Sequence, residues 1–104
     1  MQQKRGHHDK SDAALCREFF SLDQPTPGRP RLRFTGYTRT DATWRSRQQG
    51  AMDFGAGCFE AIRNPAAHQH GLRLQEQVAL EQIAAFSLLA RWVDECTVET
   101  AESL

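Results

Sequence analysis

Arg63, Asn64 and His68 are the residues of this chain whose types and spacing best suit them to chemistry. His68 follows Arg63 by five positions, and Asn64 stands between them, within reach of the same pocket. A guanidinium holds a phosphate through two parallel hydrogen bonds, and imidazole moves protons near neutral pH. Together they supply what RNA cleavage needs without a metal. A base takes the proton of a ribose 2′-hydroxyl, the oxygen attacks the adjacent phosphorus, and positive charge stabilises the transition state. On spacing alone a structural reading competes, in which Arg63 pairs with a carboxylate such as Glu60 and His68 caps a helix end.

The elements around these residues must position them. Pro65 disfavours helical backbone at Asn64, so the preceding helix is predicted to stop near Arg63. Asn64 is then a favourable N-cap, Pro65 a favourable first helical residue and Gly71 a possible stop. Free backbone N–H groups of that new turn would lie near Arg63 and favour an anion there. Upstream, a helix is predicted from Thr43 to about Ile62, with Asp41 or Thr43 as N-cap and a buried stripe of Ala51, Phe54, Cys58 and Ile62. Gly50, Gly55 and Gly57 oppose it, each by about 1 kcal/mol relative to alanine, which suggests that another backbone or a ligand comes close. Downstream, Gln75 to Val98 is the clearest helix. Its apolar arc of Ala79, Ile83, Ala85, Phe86, Leu89, Ala90, Trp92, Val93 and Cys96 fills about half the circumference. An arc that wide fits a helix lying between its own domain and a second subunit, or one broad core.

Nearer the start, Ser11 or Asp12 can cap a short helix over Ala13 to Phe20 that ends before Pro25. Residues 24–42 form a long loop rich in proline and arginine, in which Arg31 to Phe34 reads as a short strand or an extended arm. Arg31, Arg33, Arg45 and Arg47, with Arg29 and Arg39, are interleaved with Phe34, Tyr37 and Trp44, the pattern of a cationic arm that binds RNA. The competing reading is a surface loop that its aromatic residues anchor to the body. The organisation expected is a disordered leader over 1–10, a helical domain over 11–98 and a disordered tail over 99–104.

With 104 residues, 39% of them hydrophobic and 25% charged, the chain is expected to form one small domain whose core a partner or a preceding region completes. No stretch is apolar enough for a spanning helix or a signal peptide, so a cytoplasmic location is expected. Cys16, Cys58 and Cys96 are widely spaced and read as packing groups. His68 and His70, with His7, His8 or a cysteine, form at most a weak metal constellation, and neither a metal nor a cofactor is expected. The neutral total hides an asymmetry: residues 1–50 carry ten Lys/Arg against five Asp/Glu, and residues 51–104 carry three against eight. The halves can attract one another within a monomer or across a dimer, and the basic half can meet a polyanion.

Arg63-Asn64-Pro65-Ala66-Ala67-His68 resembles the signature of the HEPN superfamily, in which a histidine follows an arginine after four to six residues and a polar residue stands directly after the arginine. The wider run from Gly50 to His68, continued by Ala79 to Arg91, is similar to the C-terminal region of the Ymh-type family of bacterial proteins. The resemblance implies an all-α fold, a small bundle of three to four helices completed by dimerisation, with the two motifs meeting in a cleft at the homodimer interface. It further implies a metal-independent endoribonuclease of toxin–antitoxin or antiviral defence systems, paired with an antitoxin or another defence partner. His68 would be the acid/base, Arg63 the phosphate-binding group and Asn64 the residue that orients the pocket. Gln69 stands where many members carry an acidic residue. The chain also opens abruptly, as a C-terminal fragment or a shortened member would. The alternative function is a non-catalytic dimeric module that binds nucleic acid or a protein, and a third is a structural remnant stable only within a longer chain.

Overall fold

The computed structural model describes residues 11–63, 65 and 75–103, the side chain of Ser103 excepted. Three α-helices and one two-stranded antiparallel sheet make up the described fold: α1 (Asp12–Phe19), β1 (Arg31–Phe34), α2 (Ala42–Cys58), α3 (Glu76–Asp94) and β2 (Cys96–Glu99). A π-helical turn, Phe59–Arg63, continues α2 without a break, and a 3-10 turn follows β2 at Ala101–Ser103. The molecule is therefore a small mixed α/β domain, and the all-α expectation is corrected by the pairing of β1 with β2.

Local signals account for the starts of α1 and α2. The Ser11 hydroxyl accepts the Ala14 N–H at 3.1 Å, and the Asp41 carboxylate accepts the Thr43 N–H at 2.9 Å. The third helix, expected to reach Val98, stops at Asp94, because Cys96-Thr97-Val98-Glu99 pairs with the strand 31–34. In that register Arg31 faces Glu99 and Phe34 faces Cys96. Residues 96–99 thus belong to the sheet, and Glu99 is structured where a disordered tail was expected. The expected leader, 1–10, lies outside the described residues.

The core lies where α1, α2, α3 and β1 meet, around Phe20, Phe34, Trp44, Ala51 and Leu89. Phe20 and Phe34 stack with centroids 6.2 Å apart, and the Trp44 indole donates to the Phe34 carbonyl at 3.0 Å. Gln48 is fully buried among them. Its Oε1 accepts the Phe34 N–H at 2.8 Å, while its Nε2 donates to the carbonyls of Phe20 and Leu32 at 3.2 and 3.1 Å. One amide therefore joins the end of α1, the strand β1 and the helix α2.

Of the three α2 glycines, Gly55 alone lies in a close contact. A Cβ there would come 3.0 Å from Cys16 Sγ and 3.2 Å from Leu89 Cδ1, whereas at Gly50 or Gly57 it would meet nothing within 4 Å. Gly57→Ala is accordingly expected to raise stability by about 1 kcal/mol. Gly55→Ala, whose propensity gain is offset by overpacking of about 1–3 kcal/mol, is expected to lower it. Chemical denaturation of both variants distinguishes the two outcomes.

The opposed halves are joined by ion pairs. Arg17 reaches Glu60 at 3.4 Å and Asp53 at 3.6 Å, Arg47 reaches Glu95 at 3.0 Å, and Glu99 takes Arg33 on one oxygen at 3.2 Å and Arg39 on the other at 2.7 Å. Burial alone would push the Glu99 carboxyl up, but hydrogen bonds from Arg39 and Arg33 and the charges of both outweigh it and hold it below the usual carboxylate range. A depressed folded value contributes stability that is present above the unfolded value, about 4.3, and is lost as pH falls through the folded one. Glu99→Gln is expected to be less stable than the natural chain at pH 7, with the difference shrinking progressively below about pH 5. Thermal midpoints across that range would show a constant gap if Glu99 carried no such linkage.

Candidate functional site

Arg63 closes the π turn that continues α2, so the buried stripe of the helix fixes where its side chain emerges. Along that stripe Ala51 and Cys58 are buried and Phe54 and Ile62 are half-buried, with Phe54 against Trp92 and Phe59 edge-on to Phe86 of α3, both at 5.3 Å. A π turn widens the helix and re-aims the residues beyond it, and such turns recur at functional sites. The Arg63 guanidinium lies 5.7 Å from the Phe59 ring centroid and pairs with the carboxylate of Asp12 in the first turn of α1. Both partners are open to solvent, at 56% and 40% side-chain exposure. Glu60, the partner considered from sequence for Arg63, is instead taken by Arg17.

Asn64 and His68 lie outside the described residues, as do His7, His8 and His70. Of the three residues read as catalytic, the structure therefore locates Arg63. Its neighbour Ile62 borders an apolar depression that continues along α3 through Ala79, Ile83, Phe86 and Ala90. On α3, Ile83 and Val93 of the apolar arc remain 61% and 39% exposed, as does Leu80 beside it at 56%, while Leu89 is the one buried residue. Among the described residues, the wide apolar arc read from sequence is thus only partly covered.

The arginine-rich segment is folded onto the body, with Phe34 and Trp44 buried as anchors. Arg31 and Arg33 are 7% and 3% exposed. Arg31 donates to the carbonyls of Asp23, Arg29, Pro30 and Gln24, and Arg33 to those of Ser21 and Asp23 as well as to Glu99. Their expected place on an RNA-binding arm is corrected: both hold the loop after α1, because a buried guanidinium must find acceptors for its donors. Arg45 is exposed, and Arg47 is half-buried with its guanidinium 4.4 Å from the Phe34 ring centroid. Sequence reasoning did not single out Trp92, which faces Arg47 from α3 at 5.8 Å. Its place on an apolar helix face read as core.

All three thiols sit where the reactive thiolate is disfavoured. Burial pushes all three up, Cys96 to about 11 with help from the neighbouring Glu95 charge, so the thiolate is scarce at neutral pH. Among the described residues no group of three or more His, Cys, Asp or Glu side chains could hold a metal ion. Nor is any described helix long and apolar enough to cross a membrane.

Fold and site define a small mixed α/β domain that presents the exposed Arg63 at the end of a π turn, near a face of α3 that the described residues leave partly open. A family model described as "Protein of unknown function (Hypoth_ymh)" matches residues 1–93, and the chain belongs to that Ymh family. No curated protein and no solved structure matches it.

Proposed function

We propose that the chain is a metal-independent endoribonuclease of the HEPN kind, acting as a homodimer in a toxin–antitoxin or antiphage-defence setting. His68 is the general acid/base, Arg63 binds the scissile phosphate and Asn64 orients the pocket. The observation that carries this reading is the exposed Arg63 at the head of Arg-Asn-Pro-Ala-Ala-His, paired only with the solvent-open Asp12 among the described residues and so open to a competing phosphate. The likeness to HEPN proteins rests on this motif and not on the architecture, which contains a sheet. Among the described residues Leu80 and Ile83 stand exposed on α3, Ile83 lining the depression beside Ile62, and this supports a second copy of the chain as the partner that closes the cleft.

Induced expression in a bacterial host tests the reading, with growth and total RNA integrity compared for the natural chain, Arg63→Ala and His68→Ala at matched soluble levels. Growth arrest with RNA cleavage that survives EDTA in the purified protein, and is lost in both variants, is the expected result. A folded, soluble dimer that neither arrests growth nor cleaves RNA would overturn it in favour of the non-catalytic module.

A further inference from the structure

Away from Arg63, α2, β1 and α3 frame a depression lined by Phe34, Thr43, Ser46, Arg47, Gly50 and Trp92. At its wall the Arg47 guanidinium lies 4.4 Å from the Phe34 ring centroid, 5.8 Å from that of Trp92 and 6.0 Å from that of Tyr37. An ion pair to Glu95 at 3.0 Å fixes it further, and 32% of the side chain stays exposed. Across the α2 ridge a second depression, lined by Leu22, Arg45, Gln49 and Asp53, shares Ser46 and Gly50 with the first. Gly50 has open space where a side chain would stand, so the two depressions meet over bare backbone.

We propose that this paired depression binds an unpaired nucleotide of single-stranded RNA. The base stacks against the exposed part of the Arg47 side chain beside Trp92, and the exposed Arg45 takes a flanking phosphate. Three features point to that ligand. A guanidinium held against an aromatic ring is preorganised to stack on a planar base, a common mode for unpaired RNA. The Thr43 and Ser46 hydroxyls both donate and accept, so they suit base edges without demanding one base. The glycine gap lets a flat group cross the ridge without a clash. The inference rests on the RNA reading above but uses none of its catalytic residues.

Its test measures binding of a labelled, short single-stranded oligouridylate to the 104-residue chain carrying His68→Ala by fluorescence anisotropy, and adds Gly50→Leu or Arg47→Lys to that background. Gly50→Leu fills the crossing at an exposed helical site where leucine favours the helix, so the fold is retained. Arg47→Lys keeps the charge and loses the planar face. Both are expected to weaken binding roughly tenfold or more, the scale of one lost base stack, with thermal midpoints reported alongside. Unchanged affinity in folded Gly50→Leu overturns the proposal, as does a site that takes oligoglutamate and not oligouridylate. The two readings fail separately. Cleavage by the natural chain with unchanged Gly50→Leu binding sinks this site alone, and groove-dependent binding without any cleavage sinks the ribonuclease reading alone.

Discussion

Purified His68→Ala is expected to cleave RNA about 10²–10⁴-fold more slowly than the natural chain, the usual contribution of a placed general acid/base. Arg63→Ala is expected to lose a comparable factor, since the transition state then lacks a charge-assisted grip on its phosphate. Neither loss is to be confused with unfolding. The Arg63–Asp12 pair is solvent-open on both sides, and such pairs contribute about 0–1 kcal/mol. Arg63→Lys separates charge from geometry: it keeps the cation but not the two-pronged fork, and should fall between the natural chain and Arg63→Ala. Initial rates on a defined RNA in the presence of a chelator, with circular dichroism melts of each variant, read both quantities. Equal rates across the series would remove Arg63 and His68 from the chemistry.

Gln48→Ala is expected to have the largest effect on stability. The substitution leaves the Phe34 N–H without its acceptor and the Phe20 and Leu32 carbonyls without the donor they share. One stranded buried group costs about 1–3 kcal/mol, so a total near 3 kcal/mol is a conservative figure. At about 4–8 °C per kcal/mol for a domain of this size, the thermal midpoint should fall by roughly 12–24 °C. Gln48→Glu should be at least as harmful, since a carboxylate oxygen would then face two carbonyls in place of an amide donor. A midpoint within a few degrees of the natural chain would show that water replaces the amide.

Much of the helical framework was legible because its signals are local. Ser11 and Asp41 announce their helices, and the three-and-four spacing of Ala51, Phe54, Cys58 and Ile62 gives the face of α2. The second strand was not legible in the same way. Cys96-Thr97-Val98-Glu99 extends the helical pattern of α3 and becomes strand only because Arg31–Phe34 is available more than sixty residues earlier. The β-branched pair Thr97-Val98, just after the helix, was the available hint. Gln48 was invisible for a related reason. A glutamine in a helix reads as surface, and its burial depends on three backbone groups brought together by the rest of the chain. Arg31 and Arg33 misled in the opposite direction, since charge in a loop suggests solvent while their acceptors come from the turn after α1. At the candidate site, the motif gave Arg63 its place at the end of a helical segment, but not its pairing with Asp12.

The ion pairs that join the basic and acidic halves also bear on the chain when it is not folded. A polypeptide with an excess of positive charge in one half and of negative charge in the other is a blocky polyampholyte. Its denatured ensemble contracts at low ionic strength, because the two blocks attract before any native contact forms. Salt loosens that ensemble while it screens the solvent-open pairs of the native state, Arg17 with Asp53 and Glu60 among them. Ionic strength therefore acts on both sides of the folding equilibrium, and the surface exposed on unfolding should grow with added salt.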